Sequence, residues 1–289
     1  MFVGRFHPDL NGKISAVRIF RPTQSLLVKF NIDSEDFRNE FNYLKNETLC
    51  RVDLQNSETG NQVAIIPAIR MDKLAEIASY GEGFTEGYLY ESGQGISYIA
   101  YPIMLSPMGD LGLDNNKYLE LELTQIPKSA KLHSVDIYTV EQGSISSFVT
   151  KYDKMNVPAS VARQEFNVKH HEGAFVPVNG FSEIVLTYTN GMVVRRSPFE
   201  LRCLSSREND VVFVVRDWEE GFLSNNSVMF GYGAGHVVNL KGVSKFEIVR
   251  DDPADAAKPF EFILTDFEPE IGVTQPANLA SIAEKIAEA

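Results

Sequence analysis

The chain has 289 residues, 44% of them hydrophobic, with 27 basic and 39 acidic side chains for a formal charge of −12. That apolar content can fill one large core or two ordinary ones, which excludes disorder as the default state. The net acidity excludes a surface that grips nucleic acid all over, because phosphate binding needs a basic footprint.

In chain order, the first residues lack the charged-then-apolar pattern of a secretory signal, and no apolar run approaches the roughly 20 residues that cross a bilayer. The chain therefore reads as made in the cytoplasm. Residues 1–30 carry Arg5, Lys13, Arg18, Arg21 and Lys29 against the single acid Asp9, a local balance of +4. Such a basic N-terminal arm suits an end that meets phosphate from lipid or nucleic acid. Ordinary charges on edge strands are the other reading. Short apolar runs separated by Gly, Pro, Asn and Asp then read as strands: Ile14 to Phe20, Leu26 to Ile32, Val63 to Ile69, Glu183 to Tyr188, Val211 to Val215 and Pro259 to Phe267. Ile96 to Leu105 scarcely alternates, as expected of a strand covered on both faces, so sheet packs on sheet. Helical spacing is scarce. Ser34 to Leu44 offers three turns and Asp72 to Tyr80 two, both between strands.

Two segments share one pattern. In Tyr118 to Glu141, alternation sets Leu119, Leu121 and Leu123 on one face, and after Pro127 the chain returns as a second strand. In Lys245 to Glu268, Phe246 and Ile248 do the same, and the return follows Pro253 and an Ala-rich connection, offset by 127 residues. Both read as a closing hairpin used twice, one per half. Between them, Asn190-Gly191 separates Glu183 to Tyr188 from Met192 to Arg195 and reads as a two-residue type I′ hairpin turn. After Pro276, a capping Asn278 precedes Leu279, Ile282, Ala283 and Ile286 at helical spacing. A stripe that short is marginal alone, so this C-terminal helix docks on a neighbour, its own body or another subunit.

Candidate chemistry is thin. His170-His171-Glu172 is the densest ligand cluster, but adjacent histidines on extended chain point to opposite faces and no third ligand follows. Gly231 to His236 is glycine-rich, yet Val237-Val238 follows where a phosphate loop needs a helix. Asp110 to Asn116 offers oxygen ligands without the spacing of a calcium-binding hand. Trp218 reads as a core or interface anchor. Cys50 and Cys203 read as buried free thiols, too few for a disulfide framework. No nucleophile elbow occurs, and His7, His133, His170, His171 and His236 are scattered. No catalytic residue, metal or cofactor is nominated.

Phe181 to Leu204, with its Asn190-Gly191 turn and a Leu-rich segment after the return strand, resembles the opening of a jelly roll. The likeness is to double jelly-roll major capsid proteins of icosahedral membrane-containing phages, of the corticovirus and Flavobacterium lipid-containing phage type. Lys245 to Glu268 resembles the way those barrels close, and Tyr118 to Glu141 an earlier copy of it. The resemblance implies an all-β fold of two jelly-roll β barrels side by side. Residues 1–145 would form the first barrel with its basic arm, 146–272 the second, and 273–289 a C-terminal amphipathic helix. It implies a viral structural protein that is not an enzyme and lies in the virion capsid after synthesis in the host cytoplasm. It would form homotrimers of pseudo-hexagonal outline that tile an icosahedral shell over an internal membrane. Its partners would be itself, vertex proteins and that membrane, without sequence-specific nucleic acid binding. Arg5, Lys13, Arg18 and Arg21 would face membrane or phosphate, and Leu279, Ile282 and Ile286 a neighbouring subunit. Alternatives are a vertex or spike protein, a carbohydrate-binding β sandwich, and a barrel enzyme using His170, His171 and His236.

Overall fold

A computed structural model describes residues 1–33, 44, 47–79, 87–90, 96–128, 132–146, 148–201, 212–214, 228–230 and 235–269. The chain divides into two units: Met1–Ser79 with Gly83–Asp153 and Asp266–Ala289, and Tyr80–Glu82 with Lys154–Thr265.

The first roll is built from β1 (Phe2–Phe6), β2 (Ile14–Ile19), β3 (Ser25–Asp33), β4 (Leu49–Asn56), β5 (Asn61–Arg70), helix α1 (Met71–Ser79), β6 (Gly87–Tyr90), β7 (Ile96–Met104), β8 (Asp110–Leu111), β9 (Lys117–Thr124), β10 (Leu132–Val140) and β11 (Ile145–Ser146). One sheet runs β1-β10-β3-β7-β6 and the other β2-β9-β4-β5. The antiparallel partners are nested: β1 with β10, β2 with β9, β3 with β7, β4 with β5. This is a long ribbon doubled back on itself, and pairing β10 with β3 and β9 with β4 rolls it into two facing sheets. That topology is a jelly roll.

The second roll repeats it with β12 (Phe148–Val157), β13 (Arg163–Asn167), β14 (Gly173–Pro177), β15 (Glu183–Tyr188), β16 (Val193–Arg196), β17 (Val212–Val214), β18 (Val228–Phe230), β19 (Gly235–Asn239), β20 (Val243–Val249), helix α2 (Pro253–Ala256) and β21 (Phe260–Pro269). Its sheets run β12-β21-β14-β19 and β13-β20-β15-β16, with β17 and β18 as a separate ribbon. Once β6 and the two-stranded pieces are set aside, the strand order is the same in both.

Alternation explains the cores. Leu119, Leu121 and Leu123 of β9 are fully buried, as are Val135 and Ile137 of β10 and Leu26, Val28, Phe30 and Ile32 of β3. In the second unit Phe246 and Ile248 meet Phe262, Leu264, Ile184 and Val176, with Phe246 and Phe262 ring centroids 5.5 Å apart. β7 is buried on both faces from Ala100 to Met104, and α1 packs on it.

Two sequence expectations are corrected here. Tyr118 to Glu141 and Lys245 to Glu268 are not hairpins. β9 lies in one sheet and β10 in the other, as do β20 and β21. Strands facing each other across a core bury the same alternate positions as strands lying side by side, so the pattern alone cannot separate the two cases. The Asn190-Gly191 hairpin is not the opening of its barrel but the turn between its fourth and fifth strands. Its loop has three residues rather than two. Gly191 N donates to Tyr188 O at 2.9 Å, and Gly191 alone takes positive φ (+85°), while Asn190 Oδ1 accepts from Met192 N at 3.0 Å. This is a type I turn with a glycine bulge. The first unit makes the equivalent turn at Ser57–Gly60, between β4 and β5, and a helix follows in both: α1, and residues 198–201, which Ser197 caps by accepting from Glu200 N at 3.3 Å.

Nor is the N-terminal segment a free arm, since residues 2–6 and 14–19 are strands of opposite sheets. Ser34 to Leu44 apart from Leu44, Cys203, Trp218 and the C-terminal helix lie outside the described residues.

Each barrel closes its end differently. In the second, Arg250 is only 1% exposed and has no carboxylate partner among the described residues. Its guanidinium donates to Gly180 O at 3.1 Å and Pro158 O at 3.3 Å, and to the carbonyls of Asp255 and Lys258. Three connections (β12–β13, β14–β15 and β20–β21) therefore hang on one side chain. In the first unit the corresponding closure among the described residues is a backbone contact, with Ile126 N donating to Gly12 O at 3.0 Å. Arg250→Met strands those carbonyls and should lower stability by about 3 kcal/mol or more. Arg250→Lys recovers only part, because an ammonium cannot fork to all of them. Urea titration reads both as a lower midpoint at unchanged slope. Both Gly12 and Gly191 hold positive φ, but an added Cβ at Gly12 would stand 2.3 Å from Ile126 O and one at Gly191 would meet nothing. Gly12→Ala should therefore cost clearly more than the roughly 1 kcal/mol of Gly191→Ala in the same titration.

Candidate functional site

Three of the four nominated N-terminal cations are tied to carboxylates of their own barrel. Arg5 on β1 grips Asp136 of β10 with two hydrogen bonds, Nε to Oδ1 at 2.7 Å and Nη2 to Oδ2 at 3.0 Å. Asn31 of β3 adds a third at 3.0 Å and also donates to Ser134 Oγ at 3.0 Å. Asp136 is 1% exposed, so this cluster fastens the first strand to the last across a buried carboxylate. Lys13 pairs with Glu122. Arg18 lies 3.5 Å from Glu120 and 5.4 Å from the Tyr118 ring centroid. Arg21, in the β2–β3 turn, is exposed and has no ion pair among the described residues. Nothing in the local sequence pairs these cations with Asp136, Glu122 and Glu120, which lie more than a hundred residues further along the chain.

The acidic segment Asp110 to Asn116 is occupied by its own backbone. Asp110 is 2% exposed, and its two oxygens accept from Gln142 N at 2.8 Å and Gly143 N at 2.7 Å. Asp114 Oδ1 accepts from Asn116 N and Lys117 N, each at 2.8 Å. His170 and His171 sit on the tight β13–β14 turn, where His171 N donates to Val168 O at 3.0 Å. His236 is buried on β19 opposite Val176, three residues along β14 from Gly173. The structure therefore does not bring His236 to His170 and His171, and no group of three His, Cys, Asp or Glu that could hold a metal occurs among the described residues. Gly235 serves packing, since a Cβ there would stand 2.5 Å from Val176 O. Cys50 is buried in β4 and free, and burial pushes its thiol up.

The residues that sequence reasoning passed over are Arg250 and the apolar tips of the first barrel's turns. Arg250 did carry a signal: Phe246 and Ile248 fix the inward face of β20, and position 250 continues that face beyond the strand's end. The tips lie at the end formed by the β2–β3, β4–β5 and β7–β9 connections together with the segment after β10. Backbone hydrogen bonds knit that end together, with Leu111 N to Thr23 O at 2.9 Å, Asp110 N to Ser144 O at 2.6 Å and Ser57 N to Asn116 O at 2.7 Å. Phe20, Met108 and Ile145 stand exposed there, at 40%, 68% and 65%.

No protein-family model matches the chain, and no curated protein matches it. Among solved structures it is similar to the major capsid protein P2 from bacteriophage PM2, at 9% identity, over 92% of this chain and 96% of that one, with a TM-score of 0.48. It is also similar to a peptide-N(4)-(N-acetyl-β-D-glucosaminyl) asparagine amidase, at 10% identity, 90% and 92% coverage and a TM-score of 0.25. A third likeness is to PNGase F, a glycosylasparaginase from Flavobacterium meningosepticum, at 11% identity, 91% and 92% coverage and a TM-score of 0.24. The jelly-roll assignment stands on the strand order itself.

Burial pushes the Asp136 carboxyl up, but the hydrogen bonds from Arg5 and Asn31 and the charges of Arg5 and Lys29 outweigh it and hold the group below the ordinary carboxylate range. The stability it contributes is thus complete above the unfolded value, about pH 4, and is lost as pH falls through the lower folded value. Asp136→Asn should be less stable than the parent at neutral pH and show a flatter loss of stability below about pH 4. Urea midpoints measured from pH 7 to pH 3 check both parts.

Proposed function

We propose that this chain is a structural virion protein, a major capsid protein that assembles as pseudo-hexagonal homotrimers into an icosahedral shell over an internal membrane. The observation that carries the reading is the repetition of one jelly-roll strand order in two consecutive units. Jelly rolls are a recurrent solution for capsid subunits. Three copies of a two-barrel chain supply six similar barrels, which is the geometry that tiles as pseudo-hexagons. The pattern resemblance of Lys245 to Glu268, which holds the last two strands of the second roll, to the way double jelly-roll phage capsid proteins close supports the same reading.

A structural role is further supported by the use made of buried polar groups. Asp110, Asp136 and Arg250 all serve turns and strand closure rather than a cleft. The partners in this reading are further copies of the chain, vertex proteins and the enclosed membrane, and the C-terminal Leu279, Ile282 and Ile286 bridge neighbouring subunits. The place of residence is the virion, after synthesis in host cytoplasm.

The purified full chain should sediment as a trimer or larger assembly and form closed shells or hexagonal arrays in electron micrographs. A chain that remains monomeric at high concentration sinks the major-capsid reading.

A further inference from the structure

We propose that His7 and His133 form a surface site for one divalent transition ion of the zinc or nickel class, which staples the first strand of the first barrel to its last. The inference stands apart from the shell reading, since it uses only the pairing of β1 with β10.

The two histidines are 126 residues apart and read as scattered in the sequence, yet the fold sets them side by side. Phe6 of β1 pairs with Val135 of β10, so the chain leaving β1 carries His7 past the start of β10. His133 reaches the same place through a β-bulge. Along β10, Val135 and Ile137 are core positions, and strict alternation would send position 133 inward with them. The register against β3 slips between Leu132 and Ser134, which pair with the consecutive residues Ile32 and Asn31, so His133 is the extra residue. A bulge re-aims a side chain, and here the imidazole is turned out to solvent. His7 is exposed as well, and the two ring centroids stand 6.1 Å apart with their planes at 88°.

One hydrogen bond sets the chemistry of the pair. His7 Nδ1 lies 2.9 Å from His133 O. A carbonyl oxygen only accepts, so Nδ1 carries the proton and Nε2 of the neutral ring carries the lone pair. A metal-bound imidazole is oriented in this way, its second nitrogen donating to a carbonyl or carboxylate. An imidazole nitrogen sits about 2.1 Å from zinc, which places the centroids of two rings sharing one ion roughly 5 to 6.5 Å apart. The observed separation lies inside that range. Water completes the coordination of so exposed an ion.

Charge neither recruits nor repels the ion strongly. Arg5 is paired with Asp136 and Lys13 with Glu122, and Asp9 offsets Lys29, so donor type decides which ion binds. Two neutral imidazoles suit zinc, nickel or copper, whereas calcium and magnesium need oxygen ligands. An ion held by both rings links β1 to β10 close to the Arg5–Asp136 contact, and it adds stability only while it is bound.

The test is calorimetric titration of the untagged full chain, stripped with chelator, with zinc, and urea midpoints read in parallel. The parent should bind one ion per chain, its midpoint should rise with zinc, and excess magnesium should not compete. His7→Ala and His133→Ala should each weaken binding about tenfold or more and lose the zinc-dependent rise. The double variant His170→Ala, His171→Ala should behave as the parent. Midpoints in chelator check that each variant is folded, and His7→Gln and His133→Gln, closer in size, give the same reading where an alanine variant does not fold. A parent that takes up no zinc, single variants that bind it like the parent, or a His170, His171 double variant that loses it overturns the proposal.

Discussion

In each unit the last strand lies between the first and the third, and neither sheet that contains it is complete until it arrives. β10 pairs with β1 on one side and β3 on the other, and β21 stands between β12 and β14. The sequence separation across these pairings is roughly ninety residues or more, so chain-closure entropy is spent before the sheet repays it. Everything else is arranged around this insertion. In the first barrel it is secured on the outer face by the bidentate Arg5–Asp136 contact, with Asn31 of β3 reaching the same carboxylate, so one buried acid holds three adjacent strands in register. Because Asp136 is enclosed and Arg5 is largely solvated, the pair acts more through the cost of leaving the acid unpaired than through its Coulomb attraction.

The two barrels share a strand order but not a closure, and the difference is informative. Gly12 and Ile126 meet through backbone at a distance that only glycine permits, while the second barrel uses the forked guanidinium of Arg250 to satisfy carbonyls from three connections. A buried cation without a carboxylate partner is costly unless its donors are filled. Here the surrounding carbonyls fill them, and the Phe260 ring covers the guanidinium face at 5.8 Å. The same roll thus tolerates quite different ends.

Much of the fold was legible because alternation is a local property. Leu119, Leu121 and Leu123, or Phe246 and Ile248, declare an inward face whatever strand lies beside them. What alternation does not carry is the neighbour. Tyr118 to Glu141 reads equally well as a hairpin and as two strands facing across a core, and only the sheet order separates them. Turn chemistry was half legible: Asn190-Gly191 fixes that the chain reverses there, but the number of loop residues depends on whether one or both take positive φ, which the flanking register decides. The basic count of residues 1–30 misled for a related reason. Arg5, Lys13 and Arg18 have their carboxylates more than a hundred residues away in sequence, at Asp136, Glu122 and Glu120. A local charge balance cannot see them.

Once those pairs are subtracted, the +4 of the N-terminal segment shrinks to the cations that strand pairing does not consume, and Arg21 gains weight because it sits on a turn rather than in a strand. Polar groups inside the barrels are used up by the barrels; side chains on turns are not. The walls have registers fixed by buried pairs such as Arg5–Asp136, and the ends carry side chains that no strand pairing uses. Phe20, Met108 and Ile145 stand exposed at such an end. The backbone hydrogen bonds that knit this end, Leu111 N to Thr23 O and Asp110 N to Ser144 O, do not involve those apolar side chains.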